Sequence, residues 1–376
     1  MDLAIITTYR CNSKCSMCHI WQNPTMPQEE ITLRTMEKLP NNFDYLNITG
    51  GEPTLRRDLE EIADILYPKA MQFEISSNGL NVKKLEPIIK KYPDVKIRFS
   101  LEGFELTNNK IRGEKDGFNK KVNGLLHLKE LGGTDLGFAI TIQDDNVTEL
   151  VELFKFASAQ GFELATSTLH NGFQFHKSDN VPYDRLRVAK HIEGLIVEML
   201  KTNNVKNWFR AYLNLGLIAK VLGHERLIKC TAATDFVFID PWCDVFACNV
   251  RPDLKMGNLE KQTWGEILFG LKADRIRKEV WNCKQNCWMV GSAKTAMRHP
   301  RYAKIPNGGP LLWVLKNKIR VLLGAGINFE EYVDYSKVHH DDYVPKRDIF
   351  LTQNVKKRVQ TKDEVHYDRF GEFFNS

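Results

Sequence analysis

Apolar and polar positions alternate in short runs through the first half of the chain, and each run is followed by a stretch with helical spacing. Residues 3–8 read as a strand, as do 45–49, 136–142 and 162–167, while 71–79 and 95–103 each read as a strand ending in a turn. Between them the spacing changes. A helical stretch runs from Leu33 to about Leu39, and others cover 58–66, 85–91 and 118–131. Another covers 147–160, where Val151, Phe154 and Ala157 fall on one face. A long helix is expected over 184–201. Strand and helix in strict alternation predict a parallel sheet with helices outside it. In such sheets ligands gather at the C-terminal ends of the strands, so the polar residues that end these strands should share one rim.

After residue 200 the pattern breaks. Residues 203–223 read as a helical linker and 236–240 as an apolar strand, with a helix around 264–271. Arg298, Arg301 and Lys304 precede an apolar stretch at 310–323 with interspersed cations. It could lie on a membrane surface or over a lipid-linked substrate. Lys316 and Arg320 share a face while Lys318 sits nearly opposite, which favours a helix docked on the main body. The last fifty residues are polar, with Tyr332, Tyr335, Tyr343 and Tyr367, and read as a peripheral or dimer-contacting tail.

At 376 residues the chain can bury a large core, and 43% hydrophobic against 27% charged residues places it among globular proteins. The net charge of +6 is mild for this length, and no basic patch interleaved with aromatics argues for nucleic acid. The start has no basic segment followed by an apolar run and cleavage site, and no uninterrupted apolar run of ~18 residues suggests a membrane span, so a cytoplasmic protein is expected. The eight cysteines form a trio, Cys11, Cys15 and Cys18, and a distant group, Cys230, Cys243, Cys248, Cys283 and Cys287. Two separate clusters suit two metal sites better than a disulfide framework. Three thiolates in C-x3-C-x2-C can hold a four-iron cluster with one iron open, or contribute to a zinc site.

The trio, set after an apolar strand, resembles the cluster motif of the radical S-adenosylmethionine (SAM) enzymes. That resemblance implies a partial (β/α)6 barrel over about 1–200 and a [4Fe–4S] cluster whose open iron chelates SAM. Reductive cleavage of SAM then gives a 5′-deoxyadenosyl radical that takes hydrogen from a substrate. It also implies roles for particular residues. Gly50-Gly51-Glu52-Pro53 would receive the SAM amino group. Ser76, Asn78, Ser100 and Glu102 would lie at the ribose, Arg112 at the SAM carboxylate, and Met17 among the SAM contacts. Glu102 stands where relatives often carry aspartate. His170, Asn171, Gln174 and His176 could face substrate.

The second group resembles the SPASM and shorter twitch extensions, here over 201–290 as a small α+β unit, with 291–376 beyond it. Carried over, Cys230, Cys248, Cys283 and Cys287 would ligate one auxiliary [4Fe–4S] cluster, with zinc as the alternative. Cys243 stands where the family has glycine, and could be a ligand, a hydrogen donor or a spare. An external flavodoxin or ferredoxin would supply electrons, and the auxiliary cluster would accept an electron or anchor substrate. The substrate expectation leans to a sugar, glycan or lipid-linked glycan, with a peptide or protein as the alternative. A zinc-binding interaction protein and an RNA-modifying enzyme are the competing classes.

Overall fold

The computed structural model describes residues 1–299 and 309–338, so Arg301, Lys304, Tyr343 and Tyr367 lie outside the described residues. Six parallel strands form one side of an open barrel: β1 (Asp2–Ile6), β2 (Tyr45–Thr49), β3 (Phe73–Ser77), β4 (Lys96–Ser100), β5 (Asp135–Ile142) and β6 (Glu163–Thr168). Each pairs with its sequence neighbour, Ile5 opposite Ile48, Ile75 opposite Ile97 and Phe99 opposite Phe138. These apolar residues are fully buried and face the helical layer. The alternate positions, among them Asn47, Glu74, Ser76, Arg98 and Ser100, point the other way, because side chains alternate along a strand.

The helices are α1 (Leu33–Glu37), α2 (Leu59–Leu66), α3 (Glu86–Lys91), α4 (Glu105–Arg112), α5 (Gly117–Glu130), α6 (Leu150–Ala159), α7 (Arg185–Lys201) and α8 (Val205–Val221). Those on the sheet behave as their spacing predicts; α2 buries Leu59, Ile62, Ala63 and Leu66. α4 was not foreseen, and neither was the packing of α8. The latter is no free linker: it lies along α7 and buries most of its second half, Ala211 to Val221.

The cysteine-rich region continues the same sheet. β7 (Phe236–Ile239) pairs in parallel with β1, Asp2 opposite Phe236, and β8 (Asp244–Phe246) and β9 (Lys255–Asn258) follow antiparallel. The free edge of β1, a row of unpaired amides and carbonyls, is thereby covered. The sheet order is β6-β5-β4-β3-β2-β1-β7-β8-β9, an α/β partial barrel that does not close, with a small α+β extension. α9 (Trp264–Phe269) and α10 (Leu271–Trp281) pack behind it, and α11 (Val290–Arg298) returns to touch β1, β7 and α8.

α12 (Gly309–Leu322) docks on α7 and α8 through Trp313, Val314, Asn317 and Lys318. The Lys318 ammonium donates to the carbonyls of Leu200 (2.7 Å) and Thr202 (3.0 Å), satisfying the end of α7. Leu311, Leu312, Leu315 and Ile319 remain exposed on its outer face. Tyr332 packs edge-on against Trp313, and the Lys190 ammonium lies over Tyr335. No helix among the described residues is long and apolar enough to cross a membrane.

Candidate active site

The loop after β1 carries the first three cysteines over the C-terminal ends of the strands. Cys11, Cys15 and Cys18 line one cavity of about 170 Å³ together with Met17, Gly50, Gly51, Ser76, Asn78, Ser100, Glu102 and Arg112. Burial pushes the Cys18 thiol up to about 12 and raises Cys11 and Cys15 as well, so thiolates here need a cation's charge beside them. Three soft donors round a recess whose other walls mix polar side chains with Ile20, Trp21, Leu169 and Phe175 fit an iron–sulfur cluster with one iron left for a small ligand.

Backbone contacts set the loop. Gly51 N–H donates to the Thr8 carbonyl (2.7 Å) and Glu52 N–H to that of Arg10 (2.8 Å). A Cβ at Gly51 would stand 2.2 Å from the Arg10 oxygen, so only glycine fits there. The Glu52 side chain does not reach the cavity and Pro53 does not line it. The buried carboxylate accepts from Thr54 N–H (3.0 Å), Thr54 Oγ1 (2.7 Å), Ser77 Oγ (2.8 Å) and Asn78 N–H (2.5 Å). What this turn offers a ligand is the backbone of Gly50 and Gly51.

α4 fixes the loop from the other side. Its last carbonyls, Ile111 and Arg112, accept from Ser16 N–H (2.9 Å) and Lys14 N–H (3.0 Å). Gly113 ends the helix in the left-handed region at φ 61°. Arg112 is buried between two carboxylates, donating to Glu102 (3.1 Å) and Glu114 (3.1 Å). Glu102 also accepts from Thr141 N–H (2.8 Å). Asn78 Nδ2 reaches Asn12 Oδ1 (2.6 Å) and Ser13 Oγ (3.0 Å). Beneath the loop Arg10 forks onto Glu30 with two 2.8 Å bonds, and Arg56 crosses to the Thr7 and Ile31 carbonyls. Glu114, Glu30 and Arg56 carried no sequence signal, since isolated charges between apolar runs read as surface.

Cys230, Cys248, Cys283 and Cys287 line a second cavity with Arg226 and Arg251. Arg226 donates to the Cys287 carbonyl (2.7 Å), approaches its sulfur at 3.8 Å and stacks over Trp288. Burial would lower this guanidinium's pKa, but the surrounding thiols raise it. Two arginines offset the negative charge four thiolates bring. Four soft thiols round one recess suit an iron–sulfur cluster, and four thiolates suit zinc as well. Cys243 lies apart, in the β7–β8 turn, buried and at φ 66°.

The segment after β6 walls the two cavities. A narrow cleft shares Leu169, His170 and Asn180 with the first and Val250, Gln285 and Cys287 with the second. Asn180 Nδ2 donates to the Met17 carbonyl (2.9 Å), tying this wall to the cysteine loop. Burial pushes His170 down to about 3, so it is neutral. Asn171 accepts from Asn180 N–H (2.8 Å), Gln174 is buried, and the His176 ring meets Tyr9 edge-on. Of these four, only His170 lines the first cavity.

Residues 5–157 match the model of the radical SAM superfamily, and residues 230–288 match that of an iron–sulfur cluster-binding domain, SPASM. The Fe-coproporphyrin III synthase of Methanosarcina barkeri is 32% identical over 39% of this chain and 38% of its own. The sporulation killing factor maturation protein SkfB of Bacillus subtilis is 26% identical over 74% of this chain and 67% of its own. The mycofactocin maturase MftC of Mycolicibacterium smegmatis is 27% identical over 64% and 62%. Among solved structures, native anSMEcpe with bound AdoMet and the Cp18Cys peptide has a TM-score of 0.57 at 15% identity, covering 86% of this chain and 96% of that one. Streptococcus suis SuiB bound to precursor peptide SuiA has a TM-score of 0.53 at 15% identity, covering 90% and 75%. At such identities these two show the fold. Taken with the cysteine trio over the strand ends and the four-cysteine cavity beside it, the matches place this chain in the radical SAM superfamily, with a C-terminal SPASM domain.

Proposed function

We propose that this chain is a radical SAM enzyme that modifies a peptide or protein. The observation that carries the reading is the shared cavity. Three thiols, the Gly50–Gly51 backbone, Ser76, Asn78, Ser100, Glu102 and Arg112 face one recess at the strand ends. Cys11, Cys15 and Cys18 would hold a [4Fe–4S] cluster, and Cys230, Cys248, Cys283 and Cys287 a second. When bound, the first cluster supplies the electron that splits SAM, so that hydrogen can be taken from a substrate carbon, and the second supplies an acceptor or an anchor.

The protein's own part is placement. Gly50 and Gly51 offer backbone to an ammonium group. Arg112, its charge already shared with Glu102 and Glu114, orients more than it neutralises. Leu169, His170 and Asn180 border both the first cavity and the narrow cleft that leads toward the second. The peptide reading is supported by the names of the relatives, a killing-factor maturation protein and a mycofactocin maturase, and by the peptides in the anSMEcpe and SuiB structures. The sugar reading drew on the apolar basic stretch at 310–323, whose cation Lys318 turns inward to cap α7.

The test uses anaerobically reconstituted full-length protein with SAM and dithionite. Deoxyadenosine should form, and Cys15→Ala should abolish it; retained cleavage would remove the site assignment. With a perdeuterated peptide pool the deoxyadenosine should gain deuterium. Gain from perdeuterated sugars and none from peptides would overturn the peptide reading.

A further inference from the structure

A second, larger cavity of about 690 Å³ opens at the opposite, N-terminal end of the strands. It lies between the lower inner faces of β2, β3, β4 and β6 and the helices α8 and α11, which cover the gap left by the unclosed barrel. A closed barrel fills this space with bulky branched side chains. Here several inner positions are small: Ala4, Gly137, Ala139 and Ala165.

Its lining is cationic. Among the described residues Lys96, Arg98, Lys206, Arg210, Lys294 and Arg298 border it. Four carboxylates stand against these six cations, leaving a surplus of two positive charges. Asp135 takes Lys96 (2.6 Å) and Arg98, and Glu163 takes Arg98 (2.5 Å), Arg210 (2.7 Å) and Lys206. Glu74 lies 4.0 Å from Arg98, and Asp2 lies 3.6 Å from Lys294. The Lys294 ammonium otherwise rests on the Tyr45 ring, 3.4 Å from its centroid. On β6 the inward position is Ala165, and the neighbouring Thr166 borders the cavity while its buried side chain lies on the other face of the strand. A roomy cavity with surplus positive charge suits an anion.

The strand register stacks the two cavities end to end, with Asn47 bonded to Glu74 and Ser76 at the level between them. Glu74 and Arg98 line this cavity, while Ser76 and Ser100, two residues further along the same strand faces, line the upper one. Two strand residues span ~7 Å. An extended peptide covers that distance in about two residues.

Resting on the peptide reading, we propose that the lower cavity recognises an acidic segment of the substrate, with an aspartate or glutamate one or two positions from the residue that loses hydrogen. Lys294 and Arg298 are its principal charges: the two cations share one carboxylate, Asp2, which lies 3.6 Å from Lys294.

The test is calorimetric binding to the reconstituted full-length protein at low salt. The probes are an acetylated, amidated pentapeptide with three central acidic residues, its amide counterpart, and inorganic pyrophosphate. The acidic peptide should bind saturably and at least tenfold more tightly than the amide peptide. Lys294→Met and Arg298→Gln should each weaken it about fivefold or more. Arg298 is exposed, so its variant tests the idea even if Lys294→Met fails to fold. The exposed Lys155→Gln on α6 should change nothing. Equal affinity for the amide peptide would overturn the acidic specificity and leave the peptide reading standing. Equal affinity in the Arg298 variant and any folded Lys294 variant would mean general attraction and overturn the site. Pyrophosphate binding without acidic-peptide binding would overturn it and count against a peptide substrate. Binding of no probe would overturn it as well.

Discussion

Cys243 occupies a backbone conformation usually left to glycine, at φ 66° in the turn after β7. Related extensions carry glycine at this place, and the turn explains why: a side chain in the left-handed region costs roughly 1–2 kcal/mol. The departure that left three roles open in the sequence thus has a geometric setting, and it lies away from both cysteine cavities. Cys243→Gly should therefore keep full iron content after reconstitution, with strain relief of about 1 kcal/mol offsetting the lost packing of a buried thiol. Loss of about four irons would make Cys243 a ligand. Lys294 gives a second test at this scale. Burial pushes its ammonium down to about 8, helped by Arg298 on its own helix and Lys96 on β4 and opposed by Asp2 on β1 and Glu74 on β3, with the Tyr45 ring of β2 beneath it. A lysine is charged below its pKa and neutral above it. Acidic-peptide affinity in the lower cavity should therefore fall between pH 7 and 9, and Lys294→Met should flatten that profile. An unchanged slope in the variant would assign the titration to another group.

The six strands and most of the helices between them were legible because their apolar positions repeat with the right period. α4 was not, since its buried face carries Asn108 and Arg112 beside a single apolar residue, Ile111, and shows no apolar stripe. Yet α4 secures the cysteine loop, and its end is demanding. A Cβ at Gly113 would meet the Lys14 carbonyl at 2.9 Å, on a residue already at φ 61°. Gly113→Ala should cost about 2 kcal/mol from the left-handed backbone and this contact together. That should appear as a melting temperature lower by about 4–8 °C and as slower iron uptake. Gly132→Ala is the control: its φ is also positive, at 104°, but its Cβ would meet nothing within 4 Å. It should lower stability and leave iron uptake alone. Equal iron uptake in both variants would mean α4 does not hold the loop. The pairing of β7 with β1 was equally hidden. No local pattern tells a strand near residue 236 that its partner lies at residue 2.

At the scale of the whole molecule, an unclosed barrel must hold an edge strand and a wet interior without collapsing. Charge does this along the open side. Arg98 on β4 reaches Asp135 on β5 and Glu163 on β6, and Glu163 takes Arg210 and Lys206 from α8. Three strands and a helix are thus tied across the cavity floor. Burial alone would raise the Asp135 pKa, but Arg98 and Lys96 hold it well below the carboxylate range, and Glu163 is also lowered. A carboxyl whose folded pKa lies below its unfolded value of ~4 stabilises the fold above that pH and loses the contribution as pH falls through the folded value. Arg98→Met keeps the bulk and removes the charge. Breaking a fully buried pair costs about 3–5 kcal/mol, and because Lys96, Lys206 and Arg210 remain, about 2–4 kcal/mol is expected here. The difference in unfolding free energy between the two proteins should be full at pH 6–7 and shrink below about pH 4, as the carboxyls protonate in both. A difference that stayed constant with pH would show that Arg98 acts through packing, and the ion network would then not be what keeps the barrel open.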